Sequence, residues 1–494
     1  MAPELTRIVT GVPELDAILR GGLLRQRIHL IEGRPGTGKT TLGLRYLIEG
    51  IKQGDRGLYL TLSETAQELH ATAHNHGWSL DGIQVIEAMP LPSDQPAPQT
   101  ILLPTESELS ALVDRIADCV DAAGADRVVI DSMVEIRLLA RDSAHYRRQI
   151  IALRQRLTQA GATVLLLDDL TSDGREYELQ SAVHGVVTLE QIERSFGAAR
   201  RRMRVVKLRG GDFQSGWHDY VIQTGELLVF PSLIAQEHHR DGPPIDILSG
   251  VERLDELVGG PLATGSSTMI LGPSGVGKTT LALQYALATV RAGHRVGYFT
   301  FDESETTLRS RLVAHMGGGE GSNVGQGPAG GVKQDGTPRH FFLRRVNPSR
   351  ISPGEFIWNV RRLVEDQDAR LIIIDSINSY LDVIREEKSL LLQMNELFSY
   401  LSNMNVLAIV IGAHSARLDT SKEPDALSII TDNIISLRYY EQDNVVRKAI
   451  CVLKKRGGRH SHDLCAMHLA EDGVRIGARI DAPDGLAGEA PLEA

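Results

Sequence analysis

Cysteine and long apolar runs are scarce in this sequence of 494 residues. The three cysteines match neither zinc-ligand spacing nor a disulfide framework, which favours a reducing cytoplasm. No segment approaches the roughly 18 consecutive apolar residues that a membrane helix needs. The first residues also lack the basic segment and apolar core of a secretory signal. We therefore expect a cytoplasmic protein that does not enter the membrane.

Excess positive charge and aromatic side chains are lacking as well. Lysine and arginine number 53 against 63 acidic residues, so the formal net charge is −10, and only 5% of the residues are aromatic. Nucleic-acid-binding surfaces use positive charge along the phosphates and aromatic rings against the bases. The composition therefore disfavours nucleic acid as a partner, and it is otherwise typical of a globular protein.

The sequence repeats itself once. The segment Thr10–Asp16 returns as Ser249–Asp255, and two later motifs return at the same separation. Three motifs in one register indicate a duplication, and therefore two tandem domains.

Domain boundaries follow from this repeat and from composition. The first domain is predicted at residues 1–236 and the second at 247–480, with a polar linker containing glycine and proline at 237–246. A glycine-rich insertion at 317–337 contains too few apolar residues to form a core, so we expect it to be mobile. For the tail at 481–494 we expect disorder.

Short apolar runs predict the sheet of each domain. They include Val128–Asp131 and Thr163–Leu167 in the first domain, and Leu371–Asp375 and Val406–Ile411 in the second. Uninterrupted apolar runs suit strands that are buried on both faces of a parallel sheet. Because helical patterns lie between the runs, we expect the α/β class, with a mostly parallel, doubly wound sheet in each domain.

Each domain carries a complete phosphate-binding motif. Gly33–Thr40 and Gly272–Thr279 both match G-x-x-x-x-G-K-[ST], and two matches in register make a chance glycine-rich turn a poor explanation. In such a P-loop, backbone N–H groups wrap the phosphates and the lysine reaches the β- and γ-phosphates. The predicted ATP contacts are Gly33, Gly36, Thr37, Gly38, Lys39, Thr40 and Thr41 in the first domain, and Gly272, Ser274, Gly275, Val276, Gly277, Lys278, Thr279 and Thr280 in the second.

Acidic residues at strand ends predict the metal site and the catalytic bases. Asp131 and Asp375 each end an apolar run before a serine, where an aspartate either holds Mg²⁺ beside the P-loop threonine or caps the next helix. Glu64 and Glu303 follow the predicted strands Leu58–Leu62 and Tyr298–Phe301, and we expect them to activate water, with Asp302 beside Glu303. The alternative for these glutamates is a solvated acid at a helix start. The predicted metal ligands are Thr40, Asp131, Thr279 and Asp375.

With these motifs, the sequence resembles the KaiC family of RecA-like tandem P-loop ATPases. The resemblance runs from Thr10 to about Gly473 and includes the paired segments Lys207–Gly211 and Lys454–Gly458. It implies ATP and Mg²⁺ as cofactors and a closed homohexameric ring with ATP between subunits. In the family, a lysine and an arginine of each paired segment reach the ATP of the neighbouring subunit, although a solvated edge strand would carry the same charges. These predicted trans-acting residues are Lys207, Arg209, Lys454 and Arg456.

Two departures from the family pattern concern activity. In the first domain Ser63 precedes Glu64, at a position where the family usually has a second acid. This difference puts ATP hydrolysis by the first domain in question. Clock members of the family carry adjacent serine and threonine phosphoacceptors. Here Ser428 matches the first acceptor, but Ile429 has no hydroxyl, so a two-site phosphorylation cycle of that kind cannot run; Thr431 is a weaker candidate acceptor.

The sequence therefore predicts an ATP-hydrolysing KaiC-like ring that acts in signalling or timing through partner proteins, and it leaves serine/threonine autokinase activity open. A nucleic-acid-dependent recombinase or motor is the alternative, because a basic run is formed by Arg200–Arg202, Arg204, Lys207 and Arg209. A scaffold that binds ATP without turning it over is a third reading, and the acidic pair at Asp302 and Glu303 argues against it for the second domain.

Overall fold

The computed structural model describes residues 6–88, 104–170, 176–194, 197–317, 332–333, 336–378, 380, 390–413, 429–470 and 473–480. The chain divides into two compact units, Met1–Ser232 and Leu233–Ala494. Most of the predicted insertion at 317–337, the predicted tail and Ser428 lie outside the described residues. Across the described part of the chain, no helix has both the length and the apolar character to cross a bilayer.

In the first unit, strands alternate with helices until a final antiparallel segment. The described helices are α1 (Pro13–Ile18), α2 (Lys39–Lys52), α3 (Ala66–Asn75), α4 (Pro104–Ala123), α5 (Met133–Leu139), α6 (Ser143–Gln159) and α7 (Glu176–Ala182). The described strands are β1 (Arg7–Ile8), β2 (Leu23–Leu24), β3 (Ile28–Gly33), β4 (Gly57–Thr61), β5 (Ile83–Glu87), β6 (Arg127–Asp131), β7 (Thr163–Asp169), β8 (Gly185–Ile192), β9 (Arg200–Leu208), β10 (His218–Gln223) and β11 (Glu226–Phe230).

The second unit repeats this order after a short 3₁₀ turn at Ala235–Glu237. Its described helices are α8 (Glu252–Val258), α9 (Lys278–Arg291), α10 (Glu305–Gly317), α11 (Pro353–Glu365) and α12 (Leu390–Asn403). Its described strands are β12 (Asp246–Ile247), β13 (Leu262–Ala263), β14 (Ser267–Gly272), β15 (Arg295–Thr300), β16 (Phe341–Arg345), β17 (Ala369–Asp375), β18 (Leu407–Ala413), β19 (Asn433–Gln442), β20 (Val445–Lys455), β21 (Cys465–Ala470) and β22 (Gly473–Arg479).

Both units are built on the same nine-stranded sheet. The strand order is β11-β10-β9-β8-β3-β7-β6-β4-β5 in the first unit and β16-β15-β17-β18-β14-β19-β20-β21-β22 in the second, which is the same order read from the other edge. The strands from β8 to β5 are parallel, as are those from β19 to β16, and the remaining strands extend each sheet in antiparallel fashion. The predicted fold, two tandem RecA-like α/β domains, is confirmed.

The central strands are buried because helices cover both faces of each sheet. Successive residues of β3 enter different hydrophobic cores: Leu30 packs with one set of apolar residues, and its neighbour Ile31 packs with another. All six residues of β3 are buried, as are all five of β6. This double burial explains why these strands appear in the sequence as uninterrupted apolar runs.

The boundary between the units lies just before Leu233. Ala235 packs into a core of the second unit, and its N–H donates to Glu396 at 2.7 Å. The Asn403 side chain donates to the Ala235 carbonyl at 2.9 Å. The segment predicted as a linker at 237–246 therefore lies within the second unit, and its last residue begins β12.

Candidate functional site

Each P-loop connects a buried strand to a helix. The strand β3 ends at Gly33 and α2 begins at Lys39; β14 ends at Gly272 and α9 begins at Lys278. The glycine before each lysine has a positive φ, 94° in the first unit and 115° in the second, which residues with a Cβ avoid. This turn leaves the first N–H groups of each helix available to an anion, so both helix starts have the geometry that suits a phosphate.

The P-loop lysine of the first unit is surrounded by oxygen atoms. Its ammonium donates to the carbonyls of Gly33 at 3.0 Å and Arg34 at 3.1 Å. It also forms an ion pair with Asp169, which ends β7, at 2.5 Å. Lys39 is buried, and these three acceptors match the three N–H groups of its ammonium.

The P-loop lysine of the second unit has the same carbonyl contacts without the carboxylate. Lys278 donates to Gly272 and Pro273, both at 2.8 Å. Among the described residues, no acidic side chain lies within ion-pair distance of its ammonium. Burial lowers the pKa of Lys278, and the charges of Asp375 and Asp302 oppose this.

A carboxylate lies beside the P-loop threonine of the first unit. The hydroxyl of Thr40 donates to Asp131 Oδ2 at 2.9 Å, and the Tyr59 hydroxyl donates to the same oxygen at 2.5 Å. Burial raises the pKa of Asp131, and these two hydrogen bonds oppose the increase. Burial also raises the pKa of Tyr59 well above its usual value, so the phenol remains a hydrogen-bond donor.

The second unit repeats this arrangement. Thr279 and Tyr298 donate to Asp375 Oδ2 at 2.8 Å and 2.6 Å. Burial again raises the pKa of Asp375, with the two hydrogen bonds opposing it. In both units the peptide bond after the aspartate is cis, at Asp131-Ser132 and Asp375-Ser376. The hydroxyl and carboxylate oxygens beside each P-loop are hard ligands, so both sites fit Mg²⁺.

The predicted water-activating residue of the first unit lies at the carboxyl edge of the sheet. Glu64 follows β4, whose last residue Thr61 pairs with Asp131 on β6. The Glu64 N–H donates to the Thr61 hydroxyl at 3.0 Å, which fixes the turn. Among the described residues the Glu64 carboxylate has no hydrogen-bond or ion-pair partner. Partial burial, together with the charges of Asp131 and Glu68, raises its pKa.

The corresponding glutamate of the second unit is held by a cation. Glu303 forms an ion pair with Arg311 of α10 at 2.8 Å, while its other oxygen is buried without a hydrogen bond. Its neighbour Asp302 accepts a hydrogen bond from Ser376 at 2.7 Å. The structure therefore brings both acids of the predicted pair to the edge of the sheet that carries Asp375.

The predicted trans-acting residues lie at the ends of antiparallel strands. Lys207 of β9 donates to the carbonyl of Gln180, and Arg209 donates to that of Ser181 at 3.1 Å. Lys454 of β20 donates to the Thr431 carbonyl at 2.6 Å. Arg456 of the second unit donates to the carbonyl of Ile429 at 3.3 Å and forms an ion pair with Asp432. Each pair therefore lies on one side of its strand.

The other predicted residues occupy different environments. The Thr37 hydroxyl donates to the Arg34 carbonyl at 2.8 Å within the P-loop, whereas the Val276 side chain is in the hydrophobic core of the second unit. Thr431 is fully buried. Its hydroxyl is therefore a poor phosphoacceptor in this conformation.

Two arginines of the basic run, Arg200 and Arg202, form ion pairs with acids of their own unit. Arg200 forms a buried bidentate ion pair with Asp219 at 2.7 Å and 3.1 Å. Arg202 pairs with Glu190 at 2.6 Å and stacks over Trp217, with 4.3 Å between its guanidinium carbon and the ring centroid. These contacts leave less positive charge for phosphates than the sequence alone indicates.

Three side chains at these sites were not predicted from the sequence. Tyr59 and Tyr298 stand at the same place in the two repeats, so the duplication contained a signal for them. Asp169 has no acidic counterpart in the second unit: the register of β7 and β18 against the P-loop strands places Ala413 at its position. A contact present in only one repeat leaves no periodic signal in the sequence.

These features define a pair of RecA-like P-loop ATPase domains. A family model described as "ATPase: KaiC" matches residues 8–233 and 247–480. The chain belongs to the KaiC family.

Named relatives extend over nearly the whole chain. The circadian clock protein KaiC3 of Synechocystis sp. is 27% identical over 99% of this chain and 95% of its own length. The circadian clock oscillator protein KaiC of Parathermosynechococcus lividus is 27% identical over 94% of this chain and 84% of its own length. That of Synechococcus elongatus is 25% identical over 96% of this chain and 89% of its own length.

Proposed function

We propose that this chain binds Mg-ATP at both P-loops and hydrolyses it, within a ring that acts in signalling or timing. The observation that carries the proposal is the repeated constellation beside each P-loop. A threonine hydroxyl lies within 2.9 Å of a buried aspartate, and a glutamate follows the adjoining strand. Two copies of the same constellation favour two catalytic sites over a single site with a structural partner.

The chemistry assigned to these side chains follows from their positions. Lys39 and Lys278 bind the β- and γ-phosphates and compensate negative charge there. Thr40 and Asp131 in the first unit, and Thr279 and Asp375 in the second, would hold Mg²⁺, which supplies further charge compensation when bound. Glu64 and Glu303 orient water and accept its proton, because each lies at the carboxyl edge of the sheet, where ligands of parallel sheets bind.

Replacement of the glutamates tests this assignment. Glu64→Gln and Glu303→Gln keep the shape of each side chain and remove the base, so each variant should lose the hydrolysis of one site. Release of phosphate from ATP should fall partly in each single variant and by about 10²-fold or more in the double variant. Nucleotide binding should persist in all three. Undiminished turnover in the double variant would refute the catalytic roles.

A ring would complete both sites with residues from the neighbouring subunit. Lys207 and Arg209 would reach the first-unit site of the neighbouring subunit, and Lys454 and Arg456 its second-unit site. Support comes from the family and from the position of each pair on one side of its strand. Sedimentation of the chain with and without Mg-ATP measures the assembly. A homohexamer is expected, and a monomer at every nucleotide concentration would contradict it.

Autophosphorylation is a separate part of the proposal. Ser428 is the preferred acceptor because Thr431 is fully buried. Intact-mass analysis after incubation with Mg-ATP should show one added phosphate, lost in Ser428→Ala and kept in the control Thr431→Ala. If ATP is consumed without any gain in mass, the output of the ring is conformational and passes through partner proteins.

Circadian clock proteins are named among the relatives, so a timing role with protein partners is the favoured cellular function. The cytoplasmic location stays a prediction. The ion pairs of Arg200 and Arg202 and the net charge of −10 argue against the nucleic-acid-dependent alternative. A gel shift with single- and double-stranded DNA at low salt tests that alternative, and binding that stimulates ATP hydrolysis would support it.

A further inference from the structure

The P-loop lysines of the two units differ in one contact. Lys39 forms an ion pair with Asp169 at 2.5 Å, and among the described residues Lys278 has no corresponding carboxylate. The position is equivalent in the two units. Asp169 pairs with Gly33 across β7 and β3, and Ala413 pairs with Gly272 across β18 and β14. The duplication therefore has an acid beside the first P-loop and a methyl side chain beside the second.

The main chain around Asp169 is fixed by neighbouring groups. Arg137 of α5 donates to the Asp169 carbonyl at 2.7 Å, and the next N–H, of Leu170, donates to the Gly33 carbonyl at 3.1 Å. Arg137 also forms a buried ion pair with Asp168 at 3.2 Å. The carboxylate of Asp169 is itself only partly exposed, at 27%. It is therefore a positioned side chain rather than a mobile surface acid.

The ion pair uses the donor that a nucleotide needs. Two N–H groups of Lys39 bind P-loop carbonyls, and the third points to Asp169. In P-loop enzymes the lysine gives its charge to the β- and γ-phosphates. A phosphate oxygen at the first site must therefore compete with the carboxylate, and the two negative charges repel each other at short range.

We propose that Asp169 is an internal counter-ion of Lys39 that competes with phosphate and weakens nucleotide binding at the first site. The inference rests on the proposed function, since it assumes that both P-loops bind nucleotide. It assigns Asp169 a role in setting the affinity of the first site, and Ala413 marks the equivalent position of the second.

Isothermal titration with Mg-ADP, which is not hydrolysed, tests the idea on the full chain. Lys278→Ala disables the second site and leaves the first to be titrated. In that background, Asp169→Asn should tighten Mg-ADP binding by roughly twofold to fivefold, the size expected for loss of a partly exposed ion pair. Asp169→Ala provides the same comparison if the asparagine variant does not fold.

The reciprocal change makes a matched control. Lys39→Ala leaves only the second site, and Ala413→Asp in that background should weaken Mg-ADP binding by a similar factor. Thermal unfolding with and without Mg-ADP is a second readout, because a ligand stabilises the folded state in proportion to the logarithm of its concentration over Kd. Asp169→Asn should enlarge the ligand-induced shift of the first-site chain.

The outcomes separate this inference from the function on which it rests. If Asp169→Asn leaves the Kd unchanged, the carboxylate does not compete with phosphate and the inference is wrong. If the Kd rises, Asp169 helps to hold the nucleotide and the inference is also wrong, while the proposed function stands in both cases. If the unsubstituted chain binds no Mg-ADP at either site, the proposed function fails, and the inference fails with it.

Discussion

The two nucleotide sites of this chain share their main-chain framework and differ in the charges around it. Both have the P-loop, the threonine–aspartate pair and a tyrosine on the aspartate. In the first site the lysine is paired with Asp169 and Glu64 has no partner among the described residues. In the second site Glu303 is paired with Arg311, and no described acid pairs with Lys278.

This pattern shows which parts of a duplicated site are free to change. The loop and the strand ends have backbone geometry that phosphate binding requires, so both copies keep it. Charged side chains on neighbouring elements change affinity and proton transfer without altering that backbone. A duplication can therefore tune two sites separately while both remain P-loop sites.

The cores beneath the two sites differ in a similar way. In the first unit Arg127 is fully buried and donates to Asp55 at 2.8 Å and to the carbonyl of Val9 at 2.7 Å. It lies against Gly50, where a Cβ would be 2.4 Å from the Arg127 side chain. In the second unit the equivalent positions hold Leu371 and Thr289. The glycine and the arginine are thus one solution to core packing, and the threonine and the leucine are another.

The largest expected effect concerns the trans-acting residues. In a Glu303→Gln chain, where only the first site hydrolyses, Arg209→Ala should lower turnover about 10³-fold, as loss of an arginine finger does. Arg456→Ala is the matched change in a Glu64→Gln chain. Phosphate release measures both. Co-assembly of an Arg209→Ala chain with a Glu64→Gln chain should restore part of the first-site activity, and an arginine that acts within its own subunit would not allow this.

A smaller effect is expected when the core of the first unit is changed. Arg127→Leu removes the buried ion pair and should lower the free energy of unfolding by about 3–5 kcal/mol. Gly50→Thr forces a side chain against Arg127 and should cost about 1–3 kcal/mol. The double variant carries the residue pair of the second unit, threonine and leucine. Its loss in the free energy of unfolding should therefore be smaller than the sum of the two single losses by about 1 kcal/mol. Urea unfolding measures all three, and strict additivity would show that the two positions are not coupled.

The smallest effect concerns pH. The pKa of Glu64 is raised, and a base acts only when ionised, so first-site hydrolysis should fall as the pH decreases through that raised pKa. Thr72 stands in α3 where Arg311 stands in α10. In a Glu303→Gln chain, Thr72→Arg should therefore move the acid limb of the rate profile down by up to about one pH unit. A limb that stays in place would show that Glu64 does not control it.

Repetition made much of this protein predictable. The P-loops, the strand-end acids and the parallel strands appear twice in one register, and their local patterns are required by phosphate binding and by double burial. The tyrosines that donate to Asp131 and Asp375 also stand at equivalent positions of the two repeats. The boundary near Leu233 was less predictable, because a polar segment can still be anchored by a few contacts, as Ala235 is by Asn403.

The sequence by itself determined the tandem α/β architecture and the positions of its two P-loops, because both depend on short local patterns. Only the tertiary structure decided how the sites differ. Lys39 and Asp169 are distant in sequence and meet because β3 and β7 are adjacent in the sheet. Glu303 meets Arg311 because the turn after β15 brings α10 back over the strand end. Such contacts depend on sheet order and side-chain direction, which no short sequence pattern contains.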